Sequence, residues 1–181
     1  EKKQILLLAT GPRNTRYEGC DSREVDKFEK TVFEICKTTS QLDLELIIKQ
    51  HSDPSEHEIT KKIEEQFSNV KILKNSDPLP LQHSSDIVLS LGLTTGILEA
   101  QFFDKPVILF DMDYELFQIK ESLMKSCMNT NLKEFKEKLS NLIKDRNLQE
   151  DIIKKGKFSV SRNISNINNS SEVFLKTLLS I

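Results

Sequence analysis

The chain has 181 residues, enough to bury a full core, and this length favours one domain or at most two. Its 26 basic and 28 acidic residues nearly balance, so no net field favours nucleic acid or an anionic membrane as a partner. No apolar stretch approaches the roughly 20 residues of a membrane helix, and no secretory signal is recognisable. These features predict a soluble, cytoplasmic domain without a transmembrane segment.

The three cysteines, Cys20, Cys36 and Cys127, are too unevenly spaced to form a metal-ligand pattern. They are typical of packing or surface thiols in a reducing compartment, and no metal site is expected. The sequence begins at Glu1 and enters a predicted strand within a few residues. We therefore expect residues 1–181 to form a single domain excised from a two-domain protein.

The first part of the chain alternates predicted strands and helices. The predicted elements are, in order, a strand over 4–9, a helix from Asp21 or Ser22 to 38–40, a strand over 44–49, a helix from Ser55 to Phe67, a strand over 70–73 and a short helix over 77–86. Such alternation argues for crossover connections between parallel strands.

Residues 87–111 predict one complete strand–helix–strand unit. The run 87–91 is apolar and rich in branched side chains, which suits a strand covered on both faces. An apolar stripe that includes Phe102 and Phe103 indicates the helix, and Pro106 ends it before a second buried strand over 107–110. The fold class predicted is α/β, a Rossmann-like doubly wound parallel sheet of five or six strands with helices on both faces.

Beyond residue 111 the pattern is mainly helical. The predicted elements are a helix over 114–125, a short strand over 126–128, a helix capped by Asn131, a helix over 148–156 ended by Gly156, a loop over 159–171 and a last helix over 172–179. No internal repeat is present.

The turn of the 87–111 unit carries Gly92, Thr94, Thr95 and Gly96. A strand that leads directly into a helix places unpaired N–H groups and the positive end of the helix dipole at the edge of the sheet. Small residues let a phosphate approach those groups, so the turn predicts an anion pocket. The alternative interpretation is a tight turn with an ordinary helix cap.

Four segments, residues 47–52, 85–90, 94–100 and 105–108, resemble the C-terminal, donor-binding half of GT-B glycosyltransferases, and the likeness extends over nearly the whole chain. Sialyltransferase-like and surface-polysaccharide enzymes are similar in these segments, and nucleotide-sugar 2-epimerases share much of this half. The resemblance implies a CMP- or UDP-linked nucleotide sugar as substrate, no tightly bound cofactor and no metal.

The resemblance also implies roles for individual residues. Thr94, Thr95 and Gly96 match the segment that holds the donor phosphate, and Gly92 belongs to the same turn. Glu99 would accept hydrogen bonds from the ribose hydroxyls, although a surface glutamate in a first helical turn is an equal alternative.

A further match concerns catalysis. His51 corresponds to a histidine that binds donor phosphate and stabilises the leaving group, and it is the catalytic candidate. Ser52 stands where those families have proline, and an exposed loop histidine is the alternative interpretation. His57 and His83 are expected to be surface or packing residues.

Two other pairs of charged residues follow predicted strands. Arg13 and Arg16 could clamp a diphosphate, because a guanidinium offers paired donors. Asp111 and Asp113 could contact sugar hydroxyls or a metal. Solvated loop arginines and ordinary turn aspartates are the alternatives.

The predicted function is therefore the donor-binding half of a glycosyltransferase of surface-polysaccharide or glycolipid synthesis. Its partner would be an N-terminal domain of the same protein that supplies the acceptor site. This chain alone is therefore expected to bind the nucleotide sugar but not to catalyse transfer. The N-terminal domain could also hold the protein at the inner membrane. One alternative is a nucleotide-sugar epimerase or hydrolase domain. The other is a non-catalytic interaction module on the same scaffold.

Overall fold

A computed structural model describes residues 2–9, 22–50, 57–110, 112 and 120–164. The strands of these segments are β1 (Gln4–Ala9), β2 (Glu45–Gln50), β3 (Val70–Leu73), β4 (Ile87–Leu91), β5 (Val107–Phe110) and β6 (Met128–Thr130). The helices are α1 (Ser22–Gln41), α2 (His57–Gln66), α3 (Pro78–Ser84), α4 (Gly96–Phe102), α5 (Lys120–Lys125), α6 (Phe135–Lys144) and α7 (Arg146–Asn163).

The strands form one parallel sheet with the order β3-β2-β1-β4-β5-β6. Leu6 of β1 pairs with Ile47 of β2 on one side and with Val88 of β4 on the other. From β1, strands β2 and β3 are added on one side of the sheet, and β4, β5 and β6 are then added on the other side. The point at which the strand order reverses, the switch point, therefore lies between β1 and β4. Ligands of such sheets bind beyond the carboxyl ends of the strands at this point.

Helices cover both faces of the sheet. Alternate residues of β1 point to opposite faces, so Leu7 joins a core with α1, α2 and α6, whereas Leu6 joins a second core with α4 and α5. Ile35 of α1 is fully buried in the first core and Ile97 of α4 in the second. The predicted doubly wound, Rossmann-like α/β fold is therefore confirmed.

Helix α7 corrects two predictions. It begins after Asp145, whose side chain accepts a hydrogen bond from the Leu148 N–H, and it continues through Gly156 to Asn163. The predicted helix end at Gly156 is therefore wrong, and so is the predicted loop from residue 159 as far as residue 163. A β-carbon at Gly156 would lie 2.9 Å from Cγ of Gln101 in α4, so glycine allows α7 to pack closely against α4.

We expect Gly156→Ala to lower the free energy of unfolding by about 1 kcal/mol. Alanine favours the helix by about 1 kcal/mol, but overpacking costs about 1–3 kcal/mol, and buried Gln101 has little room to move. Urea denaturation followed by circular dichroism measures the change. Lys154→Ala is the control, because Lys154 lies exposed in the same helix and its loss should change the value by less than about 0.5 kcal/mol. A stabilising Gly156→Ala would contradict the close packing.

Two smaller predictions also differ from the structure. The sixth strand is Met128–Thr130 rather than 126–128, because Ser126 and Cys127 form a turn whose N–H groups bond back to Leu123 and Met124 of α5. Phe102, predicted in the apolar stripe of α4, is 47% exposed. The predicted helix over 172–179 and the first part of the one over 114–125 lie outside the described residues.

Within the described segments, no helix combines the length and the apolar character needed to cross a membrane.

Candidate functional site

The turn after β4 is anchored to the neighbouring strand. Gly92 adopts φ of 82°, a left-handed conformation that glycine tolerates best. Its N–H donates to the Phe110 carbonyl at 3.1 Å, and its own carbonyl accepts from the Ser90 hydroxyl at 2.9 Å. The turn therefore lies at the carboxyl ends of β4 and β5, on the ligand-binding edge of the sheet.

The groups predicted to hold phosphate divide into two sets. The Gly96 N–H donates to Oγ1 of Thr94 at 3.3 Å, and the Ile97 N–H donates to the Thr94 carbonyl at 3.2 Å. The N–H groups of Thr94 and Thr95 have no acceptor among the described residues, and Thr95 is exposed with no capping bond from its side chain. In the described segments, the donors without an acceptor are thus the N–H groups of Thr94 and Thr95, whereas Gly96 donates its N–H within the turn itself.

Gly96 is small for a packing reason. It is buried, and a β-carbon built on it would lie 2.7 Å from Cδ1 of Leu8 in β1 and 3.4 Å from Nε2 of Gln82 in α3. Glycine therefore lets the start of α4 lie directly against the central strand. This contact holds the exposed Thr95 at the switch point beside β1.

Glu99 lies half-buried in the first turn of α4, and its carboxylate has a partner from another helix. Nε2 of Gln82 donates to Oε2 of Glu99 at 3.1 Å and approaches the Gly96 carbonyl at 3.4 Å. Gln82 itself is fully buried. Sequence reasoning missed Gln82, because a polar residue beside Leu81 and His83 in a short helix gives no signal of burial.

Polar groups also lie at the ends of β2 and β3. Nζ of Lys49 donates to the carbonyls of Gln50 at 2.6 Å and Lys74 at 3.1 Å, and so joins the carboxyl ends of the two strands. Gln50 is 3% exposed, and neither of its side-chain amide atoms has a hydrogen-bond partner within residues 2–9, 22–50, 57–110, 112 and 120–164. The sequence did not single out either residue as a site residue.

Five of the predicted site residues lie outside the described residues: His51, Arg13, Arg16, Asp111 and Asp113. Their roles stay predictions. Helix α2 begins at His57, whose side chain is also outside the description. His83 is exposed and packs edge-on against Phe103 at 5.4 Å between ring centroids, as expected of a surface or packing residue.

The described cysteines are packing residues. Burial raises the pKa of Cys36 to about 12, and it does the same for Cys127. Both thiols are therefore protonated at neutral pH and unsuited to nucleophilic attack. Among the residues described, no group of three or more His, Cys, Asp or Glu side chains could hold a metal ion.

No protein-family model matches the chain, and a search of curated proteins found no match. Solved structures do match. UDP-GlcNAc 2-epimerase from Neisseria meningitidis, bound to UDP-GlcNAc, superposes with a TM-score of 0.63 at 19% identity over 99% of this chain and 44% of that chain. The C-terminal CMP-Kdo binding domain of WaaA from Acinetobacter baumannii gives 0.60 at 11% identity over 88% of this chain and 90% of that one.

The chain has the fold of a GT-B half-domain. A third match is the spinosyn rhamnosyltransferase SpnG, with a TM-score of 0.63 at 9% identity over 88% of this chain and 41% of that chain. The half-domain thus spans less than half of the length of the two full enzymes and most of the isolated CMP-Kdo binding domain. At these identities the likeness establishes the fold, which confirms the predicted resemblance.

Proposed function

We propose that the chain is the nucleotide-sugar-binding half of a glycosyltransferase. One observation carries the proposal: the N–H groups of Thr94 and Thr95, which have no acceptor among the described residues, lie within five positions of Glu99 at the switch point of the sheet. Amide donors suit a phosphate, and a carboxylate suits the paired hydroxyls of a ribose. A nucleotide carries both a phosphate and the ribose hydroxyls, separated by only a few covalent bonds.

The solved structures support this assignment. One of the superposed proteins is bound to UDP-GlcNAc, and another is a CMP-Kdo binding domain. By analogy with them, the phosphate would lie against Thr94 and Thr95 and the ribose against Glu99. The donor would be CMP- or UDP-linked, held without a metal or a tightly bound cofactor.

Transfer needs more than this chain. We propose that it works with a second domain, since it spans 44% of the matched epimerase and 41% of the matched rhamnosyltransferase. In the proposed enzyme, His51 would stabilise the leaving phosphate, and Arg13 and Arg16 would contact the phosphates or the acceptor side. An acceptor in surface-polysaccharide or glycolipid synthesis stays a prediction.

A second candidate function is 2-epimerisation of a nucleotide sugar. Two matched UDP-N-acetylglucosamine 2-epimerases, one of them from Neisseria meningitidis, align with 99% and 96% of this chain, whereas the rhamnosyltransferase aligns with 88%. The protein together with its second domain decides between the two. Incubation with UDP-GlcNAc and no acceptor yields an altered sugar if the protein is an epimerase, and it leaves the sugar unchanged if it is a transferase.

Titration calorimetry of the chain with CMP, UDP, GDP and their sugars tests the binding function. We expect at least one nucleotide to bind with a millimolar or lower Kd. The matching nucleoside should bind at least about tenfold more weakly, because charge-assisted hydrogen bonds contribute about 1.5–3 kcal/mol. Absence of binding by every nucleotide at millimolar concentration would overturn the proposal.

A further inference from the structure

We infer that Gln82 is a positioning residue that fixes the Glu99 carboxylate for the two hydroxyls of a ribose, so that the site selects ribonucleotides. The inference rests on the proposed function and extends it to a residue of α3. Nε2 of Gln82 donates to Oε2 of Glu99 at 3.1 Å. The two residues are separated by 17 positions in sequence and belong to different helices, so the contact is a tertiary one.

The surroundings hold Gln82 in place. Its side chain is fully buried, and Nε2 also lies 3.4 Å from the carbonyl of Gly96, at the start of α4. Its helix, α3, is fixed at its first turn by Asp77, which accepts a hydrogen bond from the Leu79 N–H at 3.0 Å. Burial and the two contacts of Nε2 thus fix the donor that faces Oε2 of Glu99, which favours one orientation of the carboxylate.

The bond leaves the other carboxylate oxygen available. Oε1 of Glu99 has no hydrogen-bond partner among the described residues, and Glu99 is half-buried rather than enclosed. A carboxylate oxygen has two acceptor positions, which fits a vicinal diol that donates twice. Because the acceptor is fixed before binding, less side-chain freedom is lost when the diol arrives.

Stability alone does not explain a glutamine at this position. Oε1 of Gln82 is buried and has no hydrogen-bond partner in the part of the chain that the structure describes, and an unsatisfied buried acceptor lowers the stability of a fold. Leucine has nearly the same size and would remove that penalty. Gln101 provides the comparison. It is buried too, and its Oε1 has no partner among the residues described, but its Nε2 donates to Oγ of Ser126 at 2.7 Å, on the side of α4 that packs against α7.

The test measures the ribose preference of Gln82→Leu. Calorimetry gives the Kd of UDP and CMP and of their 2′,3′-dideoxy analogues. We expect the unmodified chain to bind the ribonucleotide at least about tenfold more tightly, from two hydrogen bonds to a charged group. In Gln82→Leu this ratio should fall at least threefold, with the dideoxy Kd changed by less than twofold. In a Glu99→Ala background, Gln82→Leu should have no further effect.

Gln101→Leu is the matched control. This substitution removes a buried glutamine that does not contact Glu99. It should therefore leave the ratio of the ribonucleotide Kd to the dideoxynucleotide Kd unchanged, whatever its effect on the melting temperature. If Gln82→Leu does not fold, Gln82→Met keeps a flexible side chain of similar length and replaces it.

Three results would overturn the inference. They are a wild-type chain that binds both forms of nucleotide equally, a Gln82 variant that weakens both forms by the same factor, and a loss that persists in the Glu99→Ala background. Absence of binding to every nucleotide would instead overturn the proposed function, and the inference with it.

Discussion

Phe135→Ala is expected to lower the free energy of unfolding by about 3–5 kcal/mol, a large part of the roughly 5–15 kcal/mol that stabilises a typical domain. Phe135 begins α6 and is fully buried. Its ring packs against that of Phe110 in β5, with 4.9 Å between centroids and a tilt of 54°. Truncation would leave a cavity between the sheet and α6, and urea denaturation followed by circular dichroism measures the loss.

Phe158→Ala is the matched control for this prediction. Phe158 is 61% exposed, and its one described ring contact is with the Arg162 guanidinium, 4.8 Å from the ring centroid. An exposed cation–π contact contributes about 0.5–1 kcal/mol, so the loss should be no larger than that. Equal losses for the two variants would contradict the position of Phe135 in the core.

Thr95→Asp should separate ligand binding from stability. Thr95 is exposed at the start of α4, where an added negative charge interacts favourably with the helix dipole by about 0.3–1 kcal/mol. The same charge would repel a bound phosphate, by about 1–4 kcal/mol for charges about 4 Å apart in surroundings between water and a protein surface. We therefore expect nucleotide affinity to fall at least about fivefold while the melting temperature is unchanged or higher.

Thr95→Asn provides the control, because it has the shape of the aspartate without the charge. It should retain nucleotide affinity within about threefold in the same calorimetric titration. A Thr95→Asp variant that binds nucleotide as tightly as the Asn variant would show that the anion lies elsewhere. A lower melting temperature in both variants would mean that the substitutions had disturbed the turn itself.

The strands could be predicted closely from the sequence. Predicted bounds over 4–9, 70–73, 87–91 and 107–110 coincide with β1, β3, β4 and β5. These segments are short apolar runs between clear breaks, and in a sheet covered on both faces burial and sequence pattern agree. The doubly wound topology then follows from the alternation of strands and helices.

Features that depend on tertiary contacts could not be predicted. A glycine near the expected end of a helix is a local signal for termination. Gly156 instead lets Gln101 of α4 pack closely against α7, and the helix continues past it. Pattern alone also placed Phe102 inside, whereas it lies 47% exposed. Only burial and distance distinguish such cases.

The candidate site divides in the same way. Spacing along the chain was sufficient to bring Thr95 and Glu99 into one helical turn, because both lie on α4 and its cap. Gln82 comes from another helix, so its contact with Glu99 depends on how α3 packs against α4. The hydrogen bond from the Gly96 N–H to Oγ1 of Thr94 likewise depends on the conformation of the turn, which the sequence does not specify.

The central place of β1 has a consequence for biosynthesis. One edge of this strand pairs with β4, and the Gln4 N–H donates to the carboxylate of Asp86, 82 positions later in the chain. At about 5–20 residues per second, a ribosome needs roughly 4–16 s to translate that interval. During this time an apolar segment of the nascent chain waits with an open edge, and it is the segment that a chaperone would have to shield.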